Sequence, residues 1–339
     1  MAGIVKFPSE SPKSQWTSVK ISQEERSSGS TSLENVQLGV EQFQKNGFVV
    51  IENAIPHDLL DQLNQRMVEE TAISLAWPRV QYNHGVKHKN ISQTPPLSQD
   101  FVHEDIWANR HAIAIIENIL GPRPELSFIS SNIALPGGIG RQAVHSDAYH
   151  DHLPFPFSIE IYIFLSDASA HNGATEVWLG THEGYGKKDH IGHERGWIPK
   201  HLLNQRAEIS PPIQPTVPKG SVCMRDLRLW HAGMPNYTQD PRVMLAFIYF
   251  PRWYRSHMHL TLPKEVKSKI ETWNHVAVKA EYVDGPMDHL KHRLKMNFTQ
   301  MQNKGLFESR VETDEKMGKP KEVDVEPTEE NYWIPAGAV

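Results

Sequence analysis

Residues 141–155 read RQAVHSDAYHDHLPF and gather His145, His150 and His152 with Asp147 and Asp151 into one short stretch. Imidazoles and carboxylates are costly to desolvate, so such a cluster is either a polar loop or a set of groups converging on a metal. His145 and Asp147 are two apart, and on an extended strand their side chains leave the same face. A neutral imidazole beside a carboxylate supplies two corners of a two-histidine, one-carboxylate facial triad, the site type that suits non-haem Fe(II). The third corner must come from elsewhere. Among 19 histidines an H-x-D pair also arises by accident. HED at residues 103–105 is a second instance, but it opens a helix, where residues two apart point in different directions. His150 and His152 form another same-face pair. They lie past the strand end, before PFPF, and read as a solvated loop or pocket rim. His182, His190 and His193 fall in THEGYGKKDHIGHERG, which also reads as loop.

A second chemical signal lies at residues 228–242, RLWHAGMPNYTQDPR. His231 follows a strand and precedes a Gly/Pro/Asn turn, and Arg242 opens the next strand. On RVMLAFIYF, Arg242 shares a face with Met244, Ala246, Ile248 and Phe250. An arginine on an otherwise apolar inward face is unfavourable unless a carboxylate meets it. That carboxylate is either an internal Asp or Glu or a bound dicarboxylic acid held by the guanidinium fork.

Taken in order, QAVHSD, NGATEVWLGTH and LWHAG…PR, spanning about 142–242, resemble the phytanoyl-CoA dioxygenase-like group of Fe(II)/2-oxoglutarate oxygenases. The resemblance implies a double-stranded β-helix, or jelly roll, with His145, Asp147 and His231 as iron ligands. It implies that Arg242 holds the distal carboxylate of 2-oxoglutarate, and that Gln142 and Thr175 hydrogen-bond this cosubstrate. Leu179-Gly180-Thr181-His182 stands where many members carry Pro-Gly-Ser-His. The change keeps the turn glycine and touches no ligand position. Trp178 and Leu179 look most like fungal natural-product tailoring members.

The elements that must position these groups follow from hydrophobic period. LENVQLGVEQFQKNG reads as a helix closed by Gly47, followed by the strand FVVIEN. Leu59, Leu60, Leu63 and Met67 have helical spacing, and FVHEDIWANRHAIAIIENILG reads as another helix, stopped by Gly121 and Pro122. From 125 onward the period changes to short β-branched and aromatic runs between Gly, Pro and Asn turns. In SIEIYIFLSD, Ile159, Ile161, Ile163 and Leu165 share one face, with Glu160, Tyr162 and Phe164 on the other. Helices followed by strands describe a mainly β fold, a sandwich or barrel braced by N-terminal helices. The expected organisation is a flexible segment at 1–32 and one dioxygenase domain at 33–308. That domain divides into a helical part at 33–121, a jelly-roll core at about 125–255 and a C-terminal helical part at 263–308. A charged extension occupies 309–339. Residues 76–100 read as a surface loop or lid carrying Arg79, Lys87 and Lys89, and 182–200 as a second insertion able to cover a pocket.

Composition narrows the function. The 339 residues are 39% hydrophobic and 22% charged, with a net charge of −5. The absence of a basic block speaks against nucleic acid or an anionic membrane as partner. A single cysteine, Cys223, excludes a disulfide framework and cysteine-based zinc sites, and its alternation with polar neighbours reads as strand packing. No apolar run reaches the roughly 18 residues of a membrane span, and neither a signal peptide nor a peroxisomal address is present, so the expected location is cytoplasmic. A homodimer is compatible with this composition. The expected enzyme uses Fe(II), 2-oxoglutarate and O2 to oxidise a small organic metabolite by hydroxylation, desaturation or oxidative cyclisation, in secondary-metabolite biosynthesis. Its pocket is expected to be mostly apolar, lined by Tyr162, Phe164, Met244 and Phe250. The rival readings are a 2-hydroxylase of an acyl-CoA thioester, a cupin-like metal enzyme that is not an oxygenase, and a binding-only barrel.

Overall fold

Strands that alternate two sets of side chains can serve two cores at once, and this chain builds its central sheet that way. A computed structural model describes residues 17–77, 80–191, 196–256 and 258–292. Among these residues the first strands are β1 (Val19–Lys20), β2 (Phe48–Glu52), β3 (Asn90–Gln93), β4 (Glu125–Ala134), β5 (Ile159–Phe164) and β6 (Glu176–Val177). They are followed by β7 (Val222–Asp226), β8 (His231–Ala232), β9 (Arg242–Phe250), β10 (Leu260–Pro263), β11 (Ala277–Val278) and β12 (Ala280–Val283). The helices used below are α1 (Gln23–Ser28), α2 (Leu33–Asn46), α3 (His57–Leu75), α4 (Glu104–Trp107), α5 (Arg110–Leu120) and α6 (Lys200–Ile209).

The main sheet runs β1-β2-β7-β5-β9-β4-β11, with β3 paired to β4. Facing it is a second sheet of short pieces. β6 pairs antiparallel with β8, and single bridges join His145 to both Trp197 and His231, and Val177 to Ile213. Two facing sheets of this kind form the expected jelly roll. On its outer face the main sheet carries Ile159, Ile161, Ile163, Val243, Leu245 and Phe247, which pack into one core with Phe43 of α2, Leu60, Leu63 and Met67 of α3, and Ile113 and Ile116 of α5. The inner face carries Tyr162, Phe164, Cys223 and Met244, packed with Phe48 and Val50 and with Val177 and Leu179 from around β6. Cys223 is buried there, as its alternation predicts.

Several expectations require correction. The stretch read as one helix at 101–121 is two, because the Asn109 side chain accepts from Ala112 N–H and starts α5 afresh after α4. Within the presumed loop at 76–100, β3 pairs with β4, and Asn90, Ile91 and Gln93 are buried. Residues 17–32, expected to be flexible, form β1 and α1. There Ser22 and Glu25 make a capping box. The part from 263, expected to be helical, also contributes β11 and β12 to sheets. Residues 293–308, the extension at 309–339, residues 1–16, Arg79 and His193 lie outside the described residues.

Gly47 joins α2 to the sheet beneath the site. Its φ is 68°, its N–H closes the helix on Phe43 O, and its carbonyl accepts from Asp226 N–H at the end of β7. A Cβ there would lie 2.7 Å from His182 Nδ1 and 2.8 Å from Leu229 Cδ1. Gly47→Ala should lower stability by about 1–3 kcal/mol, from left-handed strain and overpacking together. Gly186→Ala, with open space around it, should change little. Urea denaturation of both variants checks this.

Candidate active site

The short second sheet fixes the two histidines. His145 N–H donates to His231 O at 3.0 Å and His231 N–H to His145 O at 2.9 Å, so the two residues face each other as a hydrogen-bonded pair. Their rings lie 4.2 Å apart, centroid to centroid. The chain then bends, and Asp147 N–H donates to Leu227 O, which brings its carboxylate beside both rings. Asp147 Oδ1 is 3.8 Å from His145 Nε2, and Asp147 Oδ2 is 3.5 Å from His231 Nε2. One donor atom from each of the three residues lies within 4.8 Å of the others, the one such group among the described residues. His145 Nδ1 lies 2.8 Å from Ala143 O and His231 Nδ1 3.1 Å from Leu229 O. An N–H at each Nδ1 donates to that carbonyl and leaves the Nε2 lone pair free for a metal. Burial holds the His145 imidazole down to about 3, with His231 beside it adding to the effect. Burial and then Arg225 do the same to His231, also to about 3. Both rings are therefore neutral, the form that ligates. Two neutral imidazoles and one carboxylate are a donor set that fits Fe(II).

Two residues that the sequence reading passed over complete this centre. Arg225 on β7 and Glu160 on β5 are register partners facing the same cavity. Arg225 Nη2 donates to Asp147 Oδ2 at 2.5 Å and also to Glu160 Oε2, while Nη1 lies 3.0 Å from His231 Nδ1. Burial opposes ionisation of Asp147, but Arg225 overcomes it and holds its carboxyl well below the usual carboxylate range. Burial lifts the Glu160 carboxyl above its usual range against the pull of Arg225, and the Asp147 charge adds to the rise. The available signal was alternation. Arg225 shares its strand face with Cys223, and Glu160 shares its own with Tyr162, so both charges had to point inward.

The triad opens into a cavity of about 580 Å³. Arg242, at the start of β9, lines it and is 3% exposed. Its Nη1 donates to Asn132 O at 3.3 Å and its Nη2 to Gly173 O at 2.7 Å. Its Nε has no partner, and the Phe164 ring lies 5.0 Å below the guanidinium. No carboxylate pairs with Arg242 among the described residues, and burial alone pushes its pKa down to about 10. Thr175 lines the cavity, with its hydroxyl 3.8 Å from Met244 Sδ. Gln142 also lines it. Its Oε1 accepts from Gly233 N–H at 2.9 Å and its Nε2 donates to Asn83 O at 3.4 Å, which leaves one amide N–H unused. A Cβ at Gly233 would come within 2.5 Å of this amide, so the glycine of the HAG turn makes room for it.

The cavity is more polar than expected. Tyr162 and Met244 line it, but Phe164 and Phe250 do not, and Ser92, Ser130, Ser131 and Asn132 do. Tyr82, Asn83, His84 and Gly85, with Tyr149, also line it. No described residue of the 182–200 insertion lines it. Asn83 N–H donates to Asn90 O at 2.8 Å and its Oδ1 accepts from Ser92 Oγ at 2.6 Å, pinning this loop to β3. His84 follows with φ 57° and lays its ring 4.2 Å from that of His145, centroid to centroid. His103 and Asp105 sit at α4, away from the cavity. His150 is buried and His152 half-buried against Phe157, not solvated, and neither lines the cavity. His182 is buried against α2, with Nε2 3.1 Å from Gln44 O.

Residues 43–244, more than half of the chain, match the family model described as phytanoyl-CoA dioxygenase (PhyH). Among solved structures, AviO1 from Streptomyces viridochromogenes Tue57 superposes with a TM-score of 0.50 at 17% identity, covering 66% of this chain and 98% of that one. EctD from S. alaskensis, with 2-oxoglutarate and 5-hydroxyectoine, gives 0.49 at 18% identity, covering 65% and 76%. The epimerase SnoN from nogalamycin biosynthesis, in complex with Fe3+, alpha ketoglutarate and nogalamycin RO, gives 0.49 at 14%, covering 65% and 84%. At these identities the likeness is one of fold. The family match rests on the stretch that carries His145, Asp147, His231 and Arg242, and on it the chain belongs to the phytanoyl-CoA dioxygenase family and is an Fe(II)/2-oxoglutarate-dependent dioxygenase that consumes O2.

Proposed function

We propose that His145, Asp147 and His231 hold the iron, that Arg242 with Thr175 and Gln142 holds 2-oxoglutarate, and that the enzyme oxidises a small organic metabolite of natural-product biosynthesis in the cytoplasm. The observation that carries this reading is Arg242, a buried guanidinium in a cavity wall with no carboxylate beside it among the described residues. Such a cation is stable only with a counter-charge, and one carboxylate of a dicarboxylic acid supplies it with matching geometry. Bound at the triad, Fe(II) supplies the oxidising power from O2 and the decarboxylation of 2-oxoglutarate to succinate and CO2. The protein's part is placement. Arg242 and Thr175 fix the far end of the cosubstrate and the spare Gln142 N–H meets it nearer the triad, while Tyr82, His84 and Tyr149 restrict water. No residue of the triad needs to move a proton.

The cavity volume falls in the range of roughly 300–1,000 Å³ usual for small-molecule sites. No lysine lines it among the described residues, and Lys89 Nζ is engaged with Pro136 O. The described lining residues thus give no support for a phosphate-bearing acyl-CoA. The product type, hydroxyl, alkene or ring, depends on which substrate C–H lies nearest the triad.

His145→Ala, Asp147→Ala and His231→Ala should each abolish Fe(II)-dependent succinate formation, while His103→Ala and Asp105→Ala should retain it. The reverse pattern would move the metal to the helix α4. Arg242→Ala should raise the apparent 2-oxoglutarate requirement by about 30-fold or more, equivalent to a loss of roughly 2 kcal/mol or more. An unaltered requirement in a titration of 2-oxoglutarate against succinate release would remove Arg242 from the cosubstrate site. His84→Ala should raise O2-dependent 2-oxoglutarate consumption relative to substrate oxidised. Equal succinate-to-product ratios in variant and wild type would show that the 82–85 loop does not control coupling.

A further inference from the structure

A second carboxylate, Glu160, faces the cavity beside the triad's Asp147. Glu160 and Arg225 are paired across β5 and β7, and both line the cavity with Asp147. One guanidinium nitrogen, Arg225 Nη2, donates to Asp147 Oδ2 at 2.5 Å and to Glu160 Oε2, so the two acidic groups are neighbours across a single atom. Carboxylates are good donors to divalent iron, and a facial triad functions because its remaining positions stay open. A released Glu160 would be a fourth protein donor and would take a position that 2-oxoglutarate or O2 needs. We propose that Arg225 is a positioning residue that keeps Glu160 off the metal.

The surroundings fit this role. Arg225 is 2% exposed and its Nη2 donates to both carboxylates, so the guanidinium is fixed beside the triad. Asp147 Oδ2 accepts from that guanidinium and lies 3.5 Å from His231 Nε2, while Oδ1 lies 3.8 Å from His145 Nε2, so this bond sets how the carboxylate is turned toward the rings. One carboxylate would suffice to neutralise Arg225. Here the cation holds both, one inside the triad and one outside it.

The inference rests on the reading of His145, Asp147 and His231 as ligands, and the experiment separates the two. Co(II) is titrated into the metal-free full-length protein, and 2-oxoglutarate into the Co(II) form without O2, by calorimetry and visible absorption. Full Co(II) affinity in Asp147→Ala would sink the ligand assignment itself. With affinity lost in that control, Arg225→Met is expected to bind Co(II) with an altered visible spectrum and to weaken 2-oxoglutarate by about tenfold or more. Arg225→Met with Glu160→Gln is expected to restore most of the 2-oxoglutarate binding, because the competing donor is gone. Glu160→Gln alone keeps the Arg225–Asp147 bond, so it is expected to give the wild-type Co(II) spectrum. This arm decides the matter even where Arg225→Met does not fold. Unaltered 2-oxoglutarate binding in Arg225→Met, no recovery in the double variant, or a shifted Co(II) spectrum in Glu160→Gln each overturns the proposal.

Discussion

Taking Asp147, Glu160 and Arg225 out of water together is the step on which the rest of this pocket depends. Each buried ion costs several kcal/mol after relaxation, and pairing offsets this only where geometry is good. Here geometry comes from the sheet. Glu160 and Arg225 are opposed in register, so the backbone ladder aligns them before any side chain moves. Asp147 arrives from the facing sheet, carried by the bend after His145 and held by Leu227 O. The ion cluster thus joins the two sheets of the jelly roll at the point where the histidines emerge. A carboxylate without Arg225 would gain a proton on burial, and the centre would lose the anionic donor that a divalent metal requires.

The helices contribute by making the other face of the same strands secure. Ile159, Ile161 and Ile163 pack among α2, α3 and α5, and the residues between them point into the cavity. A one-residue slip of β5 would send Glu160 into the helical core and an isoleucine toward the triad. The apolar face of each strand therefore fixes the register of the polar one. This division explains why a mainly β catalytic core needs helices on one side alone, leaving the side between the sheets for chemistry.

How much could be read in advance follows the same logic. The alternation in SIEIYIFLSD and RVMLAFIYF was legible because period 2 is a local property, and the faces it assigned are those observed. The convergence of His145, Asp147 and His231 was legible from motif order, since the bridge between residues 145 and 231 joins segments with clear strand–turn signals. Arg225 and Glu160 obey the same alternation, but a charge on a strand is more often a solvated residue, and pairing them required knowing that β7 lies beside β5. His84 could not be found locally. Its place depends on a left-handed backbone step and on Asn83 being tied to Asn90 and Ser92. The polarity of the cavity was missed for a related reason. Ser130 and Asn132 lie on β4 opposite Ala246 and Met244, so their inward face is set by the pairing to β9 and not by the pattern of β4 itself.

The two buried arginines on this inner face show how a structure distinguishes internal architecture from preparation for a ligand. Both are at most 3% exposed and both sit on central strands facing the cavity. Arg225 is met by two carboxylates of the protein, which push its pKa upward despite burial. Arg242 is met by two backbone carbonyls and an aromatic face, and burial pulls its pKa down. Carbonyl dipoles orient a guanidinium but do not neutralise it, so the free protein carries the cost of Arg242, which the carboxylate proposed for this place would offset. Arg225 needs none from outside the protein. The same residue type at two places on one sheet face thus has opposite electrostatic standing, and that difference separates the part of the pocket built to be complete from the part built to be filled.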